Sequence, residues 1–291
     1  MRYKTARFRR INVKRIAAVA ASILLLGVAL ALVLTRIVIP NGKYKAAVAL
    51  YEAGEYDEAV AAFSVLRGYK DSEDYLERCY LEGAGEEKYN RAKSINVGDV
   101  YIFGAYEQDN DPSNGKEEIE WIVLDKEGMS LLLLSKYALD GREYHTPREA
   151  STWETCHLRP WLNETFLNEA FSPEEQSMIV SATVAADRNP LRKTSPGNQT
   201  TDKVFLLSIP EANKYFDSNR ARECRGTEYC YAQGAYRANN GNCLWWLRTP
   251  GDIPSTTVFV LYDGSVYDFG YFTYAGFNGA VRPALWIDLG A

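Results

Sequence analysis

The sequence is poor in the residues on which most catalytic and metal sites depend. Its 291 residues include two histidines and five cysteines. No C-x-x-C, H-E-x-x-H, G-x-S-x-G or glycine-rich nucleotide-binding pattern occurs. Cys156 and His157 are adjacent, but neighbours on a helix point in different directions and do not form a nucleophile–base pair. We therefore predict no catalytic residue, no cofactor and no metal.

The cysteines are also too few and too scattered for a disulfide scaffold, and their odd number leaves at least one of them free. Cys224 and Cys230, with Cys243 further along, either form a disulfide outside the cell or remain small buried thiols. We expect Cys156 to lie in the core.

Basic residues are scarce outside the N-terminus. The net charge is −5, and residues 1–15 carry seven basic side chains and no acidic one, which leaves −12 on the remainder. An acidic body has no basic surface for phosphates, so nucleic acid is excluded as a partner.

A long apolar run follows the basic tail. Ile16 to Thr35 has no charged residue, which is about the length that a helix needs to cross a bilayer. The alternative, a cleaved signal peptide, usually has a shorter apolar core. We predict a cytoplasmic tail at residues 1–15 and a single transmembrane helix at 16–39 in the lipid bilayer of the cell membrane. The basic residues before the span indicate that the C-terminal domain is extracellular.

Residues 41–93 have the periodicity of helices. Gly54, Tyr56, Ala59 and Phe63 occur at the spacing of the turn and second helix of a tetratricopeptide repeat, which this segment resembles. Because a single repeat cannot bury its own apolar face, we predict a short helical stalk with a third helix from about Ser72 to Lys88.

The pattern changes to strands after Lys93. Three strands are predicted around 97–104, 119–125 and 129–135. The first two flank a loop in which Asp109, Asp111, Ser113 and Glu120 have the spacing of a calcium loop, but its glycine is one position late, which favours an ordinary hairpin loop. Helix starts are predicted at Ser151, at Ser172 and at Ile209.

Several short motifs then follow one another in a fixed order. These motifs are residues 99–104, 120–124, 153–154, 158–163, 202–208, 245–251 and 281–284. Together they resemble the DUF6273 family, a domain of unknown function in Gram-positive bacteria, over about residues 95–289. The resemblance implies an α+β fold similar to the C-type-lectin-like fold of formylglycine-generating enzymes and diversified variable proteins. Those enzymes use a C-terminal cysteine pair, of which only Cys243 is present here. We therefore assign 95–291 to a DUF6273 lectin-like domain.

The C-terminal region is unusually aromatic. Residues 262–277 contain seven tyrosines and phenylalanines, whereas the overall aromatic content of 13% would give about two. Aromatic side chains mixed with Asp, Asn, Gly and Ser on turns resemble an antibody paratope, although aromatics also favour strands for packing reasons alone. The predicted ligand-binding residues are Tyr262, Tyr267, Tyr271, Phe272, Tyr274, Phe277 and Asn278. The predicted core residues are Phe259, Val266, Phe269, Trp245, Trp246, Leu247 and Trp286.

The sequence thus predicts a membrane-anchored extracellular module that binds a glycan or another surface polymer or protein. Two alternatives come from other classes: a cell-envelope hydrolase with a pair of carboxylates, and a structural envelope protein that docks through its stalk. We expect Arg248 and Arg282 to serve the structure by binding loop carbonyls or carboxylates.

Overall fold

A computed structural model describes residues 39–147, 149–273 and 276–291. The chain divides after Gly85 into two compact units, Met1–Gly85 and Glu86–Ala291. Among the described residues, none of the helices combines the length and the apolar character that crossing a membrane requires. The predicted span 16–39 lies outside the described residues except for Ile39.

The first unit is helical where it is described. Its helices are α1 (Ile39–Glu52), α2 (Tyr56–Ser64) and α3 (Ser72–Ala84). Helix α1 begins at Ile39, two residues before the predicted start at Asn41. Small and apolar side chains form the core, which consists of Ala47, Ala59, Phe63, Leu66, Leu76 and Cys79. Tyrosines surround it, and the hydroxyls of Tyr51 and Tyr56 donate to Glu82 at 2.6 and 2.8 Å.

The third helix is shorter than predicted because Gly85, with φ of 89°, interrupts it. The next helix, α4 (Glu86–Ser94), belongs to the second unit. Lys126 Nζ donates to the carbonyls of Ala92 and Ile95 at 2.6 and 2.8 Å, and it thereby satisfies acceptors at the end of α4. The predicted domain limits of 41–93 and 95–291 stay a prediction.

The second unit is an α+β domain. Its strands are β1 (Val100–Tyr106), β2 (Glu117–Glu127), β3 (Ser130–Ser135), β4 (Asp140–Arg142), β5 (Ile179–Val180), β6 (Ala182–Val184), β7 (Thr200–Asp202), β8 (Val204–Phe205), β9 (Trp245–Pro250), β10 (Thr256–Val260), β11 (Val266–Phe272), β12 (Gly279–Val281) and β13 (Ala284–Asp288). Its further helices are α5 (Leu158–Trp161), α6 (Leu167–Ala170), α7 (Pro173–Met178), α8 (Ile209–Tyr215), α9 (Asn219–Arg222) and α10 (Glu228–Ala232), with a π-helical turn at Leu162–Phe166.

One antiparallel sheet contains the three predicted strands. Its order is β1-β2-β3-β13-β5, and β8 also pairs with β13. The C-terminal strand β13 therefore lies beside β3, and Leu285 pairs with Leu133 in the middle of the sheet. Leucines of β3 are almost fully buried, which agrees with their continuous apolar run. Trp286 is an exception to its predicted core position, because it is only half-buried.

A second sheet has the order β11-β10-β9-β12-β4. Its pairs are antiparallel except that β12 runs parallel to β9. Strand β11 is at the edge of the sheet among the described residues, and a hairpin joins it to β10, as the Asp263-Gly264 pair after the apolar run 258–262 predicts. In this turn Gly264 N donates to the Leu261 carbonyl at 2.9 Å. Trp245, Trp246 and Leu247 of β9 are fully buried, as predicted. Strand β4 lies at the other edge of this sheet in the described structure.

Two of the three predicted helix starts are correct. Ser172 and Ser208 each form a capping box, with Glu175 and Glu211 respectively, and a proline follows each cap. The start predicted at Ser151 is wrong, since residues 151–157 are non-helical, with a turn at 153–155, and α5 begins at Leu158. Ser151 is buried and its hydroxyl has no partner among the described residues, so it does not cap a helix.

Buried arginines stabilise the loops around the two sheets. Arg282 Nε donates to the Ser135 carbonyl at 2.9 Å, and its guanidinium lies over the ring of Trp245 with 5.0 Å to the ring centroid. Arg248 binds the carboxylates of Glu211 and Asp187 and the Leu206 carbonyl. Both arginines are almost fully buried, which confirms their predicted structural role.

Candidate ligand-binding site

The candidate site has two adjoining parts, and the first is a set of exposed aromatic side chains. We define the aromatic surface as five residues of the β10–β11 turn and strand β11 whose side chains are between 40% and 46% exposed: Tyr262, Tyr267, Phe269, Tyr271 and Phe272. Four of them are predicted ligand-binding residues. Phe269 was predicted to be core, and this prediction is wrong because β11 is an edge strand on which alternate side chains face solvent.

A row of rings supports this surface from the interior of the sheet. Trp246, Phe259 and Tyr267 occupy facing positions on β9, β10 and β11. Their ring centroids are 6.0 Å apart for the first pair and 5.3 Å apart for the second. Exposure increases along the row from 0% at Trp246 through 6% at Phe259 to 40% at Tyr267. The exposed ring of Tyr267 is thus fixed by packing on buried neighbours.

Phe277 and Asn278 continue the surface from the segment before β12. Phe277 is half-buried and packs on Trp246, Phe259 and Tyr271, with centroid distances of 5.4, 6.1 and 5.0 Å. Asn278 Nδ2 donates to the Gln233 carbonyl at 2.7 Å. The structure therefore brings Phe277 to the aromatic surface, whereas the Asn278 side chain binds Gln233, and the predicted Tyr274 lies outside the described residues.

The ring of Phe269 packs against an arginine from another loop. Arg192, in the long loop between β6 and β7, places its guanidinium carbon 3.6 Å from the centroid of the Phe269 ring. The same guanidinium donates to Asp268 Oδ2 at 2.9 Å from Nε and 2.6 Å from Nη2. One face of Phe269 is covered by this cation, and the charge of the cation is matched by the neighbouring carboxylate.

The second part is a polar cleft beside the aromatic surface. We define the cleft by the residues that line its volume of about 450 Å³: Gly141, Arg142, Glu143, Thr146, His157, Leu158, Trp161, Gln233 and Asn278. They come from β4, the segment between β4 and α5, α5 itself, the end of α10 and the segment before β12. Asn278 follows Phe277 in the chain, so the lining of the cleft is continuous with the segment that packs on the aromatic surface.

Arg142 is the central charged residue of the cleft. Its guanidinium carbon lies 4.0 Å from the centroid of the Trp161 ring, and its Nε donates to Asp140 Oδ2 at 3.3 Å. Asp140 also accepts from the Tyr106 hydroxyl at 2.8 Å. Burial raises the pKa of Asp140, although Arg142 and the Tyr106 hydroxyl stabilise its charged form. These contacts fix the position of Arg142.

Two hydrogen bonds join the cleft to the residues around Phe277. Trp246 Nε1 donates to the Arg142 carbonyl at 2.8 Å, and Glu143 Oε1 accepts from Gly276 N at 2.9 Å. Gly279 pairs with Arg142 in the sheet, and a Cβ atom at Gly279 would lie 2.3 Å from Trp246 Cε2. Glycine is therefore required where the strand approaches the indole.

The two histidines lie together beside the cleft. Their ring centroids are 4.6 Å apart, and His157 lines the cleft, whereas His145 is buried and neither of its ring nitrogens has a hydrogen bond in the described part of the chain. Burial, together with the nearby His157, lowers the pKa of His145. His145 is therefore neutral at pH 7.

The loop between β1 and β2 is a hairpin loop. This agrees with the prediction from its glycine, which is one position too late for a calcium loop. Asp109 accepts from Asp111 N at 2.8 Å and from Asn114 Nδ2 at 2.7 Å. Glu120 lies within β2 and pairs with Lys136 at 3.0 Å, away from the loop. Carboxylate oxygens of Glu107, Asp109 and Glu117 lie within 4.8 Å of one another, but backbone N–H groups of the loop already bind them.

The cysteines are buried and unpaired. Each of the five has a free thiol in the structure, so the alternative of a Cys224–Cys230 disulfide is not adopted. Cys156 lies in the core, as predicted, and burial raises its pKa to about 12. A thiol with so high a pKa is a poor nucleophile.

Sequence reasoning did not find the cleft. Arg142, Trp161 and Gln233 come from three distant segments, and no local spacing connects them. Phe269, by contrast, could have been found, because Tyr267, Phe269 and Tyr271 alternate along one strand.

The fold and the site thus define an α+β domain with an exposed aromatic surface and an adjoining polar cleft. The chain belongs to the DUF6273 family, described as a domain of unknown function, whose family model matches residues 129–289. No curated protein and no solved structure matches the chain.

Proposed function

We propose that the protein is a binding module that recognises a glycan polymer through the aromatic surface. The observation that carries the proposal is the support beneath the exposed rings. Tyr267 and Tyr271 are more than one-third exposed, yet Phe259 and Phe277 hold them in place. Rings that remain exposed while they are fixed lose little entropy when a ligand covers them.

A glycan suits this surface for two reasons. The apolar C–H face of a pyranose ring can pack on an aromatic ring, and its hydroxyls can bond the polar groups at the margin. Contiguous exposed apolar area of this kind also marks interaction sites on soluble domains. The strand offers several rings along its length, which fits a polymer better than a single small molecule.

The test measures binding of the full chain, purified in mild detergent, to immobilised cell-wall polysaccharide and mucin glycans. The variant Tyr267→Ala/Tyr271→Ala should lose at least tenfold in affinity, because each exposed ring contributes about 1–2 kcal/mol. Tyr236→Ala is the matched control, since Tyr236 is 49% exposed and is not part of the aromatic surface. Equal glycan binding by all three proteins would contradict the proposal.

A second candidate is recognition of a surface protein by strand addition. Strand β11 pairs with β10 alone in the described structure, so its other edge can pair with an added strand. Binding to surface-protein extracts without binding to glycans would favour this candidate. A hydrolase with a carboxylate pair lacks comparable support, because Glu143 is the one carboxylate among the described residues that line the cleft.

The proposal also includes the location of the protein in the cell and the identity of its segments, both of which come from the sequence. Residues 16–39 would anchor the chain in the cell membrane, with residues 1–15 in the cytoplasm and the binding module outside. The tetratricopeptide-like stalk and the lectin-like fold belong to the same proposal, and the α+β architecture supports the latter. Protease treatment of intact cells should remove the C-terminal unit, while its resistance until lysis would contradict this orientation.

A further inference from the structure

We propose that the cleft is a sugar subsite that binds one uncharged saccharide unit of the glycan whose neighbouring units cover the aromatic surface. This inference rests on the proposed function and adds the chemical class of the ligand. The volume of about 450 Å³ lies in the range of roughly 300–1,000 Å³ that is usual for small-molecule sites.

The cleft offers hydrogen-bond donors that have no partner among the described residues. The two terminal nitrogens of Arg142 have no hydrogen bond among the described residues, because only its Nε is bound to Asp140. The indole N–H of Trp161 is buried and also has no partner in the described structure. A buried N–H without a partner is costly, so an oxygen atom that enters the cleft stabilises it.

Acceptors lie beside these donors. Glu143 Oε1 accepts from Gly276 N, and its other carboxylate oxygen has no hydrogen bond to any of the described residues. Asn278 uses its amide nitrogen for the Gln233 carbonyl, and its Oδ1 accepts no hydrogen bond from the described residues. A hydroxyl group both donates and accepts, so adjacent hydroxyls on one sugar ring match a site that presents both kinds of group.

The charges of the cleft favour a neutral ligand. The positive charge of Arg142 is opposed by Asp140 at 3.3 Å and by the neighbouring carboxylate of Glu143. A carboxylated sugar would be attracted by Arg142 but repelled by Glu143, and an amino sugar would be attracted by Glu143 but repelled by Arg142, so neither charge gains a clear advantage that offsets its desolvation. An uncharged hexose or N-acetylhexosamine avoids both penalties.

The position of the cleft connects it to the proposed polymer surface. Asn278 lines the cleft, while the adjacent Phe277 packs on Tyr271 of the aromatic surface. Trp246, at the buried end of the ring row, holds the backbone of Arg142. One glycan chain can therefore contact both parts.

The experiment uses saturation-transfer NMR on the full chain in mild detergent with single sugars as probes. The probes are glucose, galactose, mannose, N-acetylglucosamine, glucuronic acid and glucosamine. We expect at least one uncharged sugar to bind, and Glu143→Gln and Arg142→Lys should each weaken that binding at least fivefold. Glu228→Gln, at an exposed ion pair with Arg237, is the control and should change nothing.

The aromatic variant Tyr267→Ala/Tyr271→Ala separates the two proposals. If it loses polymer binding but still binds the single sugar, both proposals stand. If polymer binding depends on the aromatic residues but no uncharged sugar responds to Glu143→Gln or Arg142→Lys, the subsite is refuted and the proposed function remains. Stronger binding of glucuronic acid or glucosamine would overturn the uncharged ligand class. Thermal melting of each variant verifies that it is folded.

Discussion

The ring centroids of Tyr271 and Phe277 lie 5.0 Å apart. Tyr271 belongs to the edge strand β11, and Phe277 belongs to the segment that leads into the polar cleft. This contact joins the two parts of the candidate site. Phe277 also packs on Trp246 and Phe259, so a single half-buried ring connects the exposed aromatic residues with the core of the sheet.

Phe277→Ala should therefore affect both stability and binding. We expect the free energy of unfolding to fall by about 2–4 kcal/mol, because the change removes a ring that packs on three others. We also expect weaker glycan binding at temperatures at which the variant is folded. Urea denaturation and the polysaccharide assay measure the two effects, and Tyr236→Ala provides the control. An unchanged stability would contradict the supporting role of Phe277.

The buried arginine Arg248 offers a second test. Arg248→Met should lower the free energy of unfolding by about 3–5 kcal/mol, since it leaves Glu211 and Asp187 without their buried partner. Arg248→Lys should recover part of this loss, because an ammonium keeps the charge but cannot form the paired hydrogen bonds of a guanidinium. Denaturant titrations measure both values.

Arg237→Met is the matched control for this series. Arg237 forms an exposed ion pair with Glu228, and the loss of such a pair costs at most about 1 kcal/mol. If Arg237→Met and Arg248→Met destabilise the protein equally, then Arg248 does not have the structural role described above.

Stability should depend on pH through His145. Its pKa is lower in the folded protein than the ordinary value of 6.5, mainly because of burial and further because of His157. As the pH falls below about 6.5, the unfolded chain binds a proton that folded His145 does not bind, so stability decreases with decreasing pH. His145→Leu should flatten this dependence in denaturation curves recorded from pH 7.5 to 5.

Substitutions at two residues near His145 test why its pKa is lowered. His157→Gln should weaken the pH dependence because it removes the second cause of the lowered pKa. Glu149→Gln should strengthen it, since the Glu149 carboxylate lies 3.5 Å from His145 Nε2 and favours the protonated ring. A pH dependence identical in wild type and His145→Leu would contradict this explanation.

The thiols provide a fourth prediction. Ellman's reagent should detect all five thiols in the denatured, unreduced protein and react very slowly with the folded protein at pH 8. Burial of the thiols accounts for the slow reaction. A denatured count of three would indicate one disulfide, the alternative that the sequence left open for Cys224, Cys230 and Cys243.

Local signals in the sequence predicted local structure well. The caps at Ser172 and Ser208 and the turn before Gly264 are each determined by residues close together in the chain. The cap expected at Ser151 failed because the chain forms a turn at 153–155 before α5 begins. The error at Phe269 has another cause: an aromatic residue suits both a central and an edge strand, and the sequence does not specify the order of strands in the sheet. The cleft depends on that order as well, since β4 and β12 must pair before Arg142 and Asn278 can line one cavity.

The most direct test of the binding surface is hydroxyl-radical footprinting of the full chain with and without a saturating amount of the best-binding polysaccharide. Oxidation of Tyr267, Phe269 and Tyr271 should fall severalfold in the complex, because a ligand that covers these exposed rings excludes the radical. Oxidation of Tyr236 should not change. Protection of Tyr236 alone, or no protection of the three aromatic residues of β11 under saturating ligand, would contradict the central claim that this strand binds the glycan.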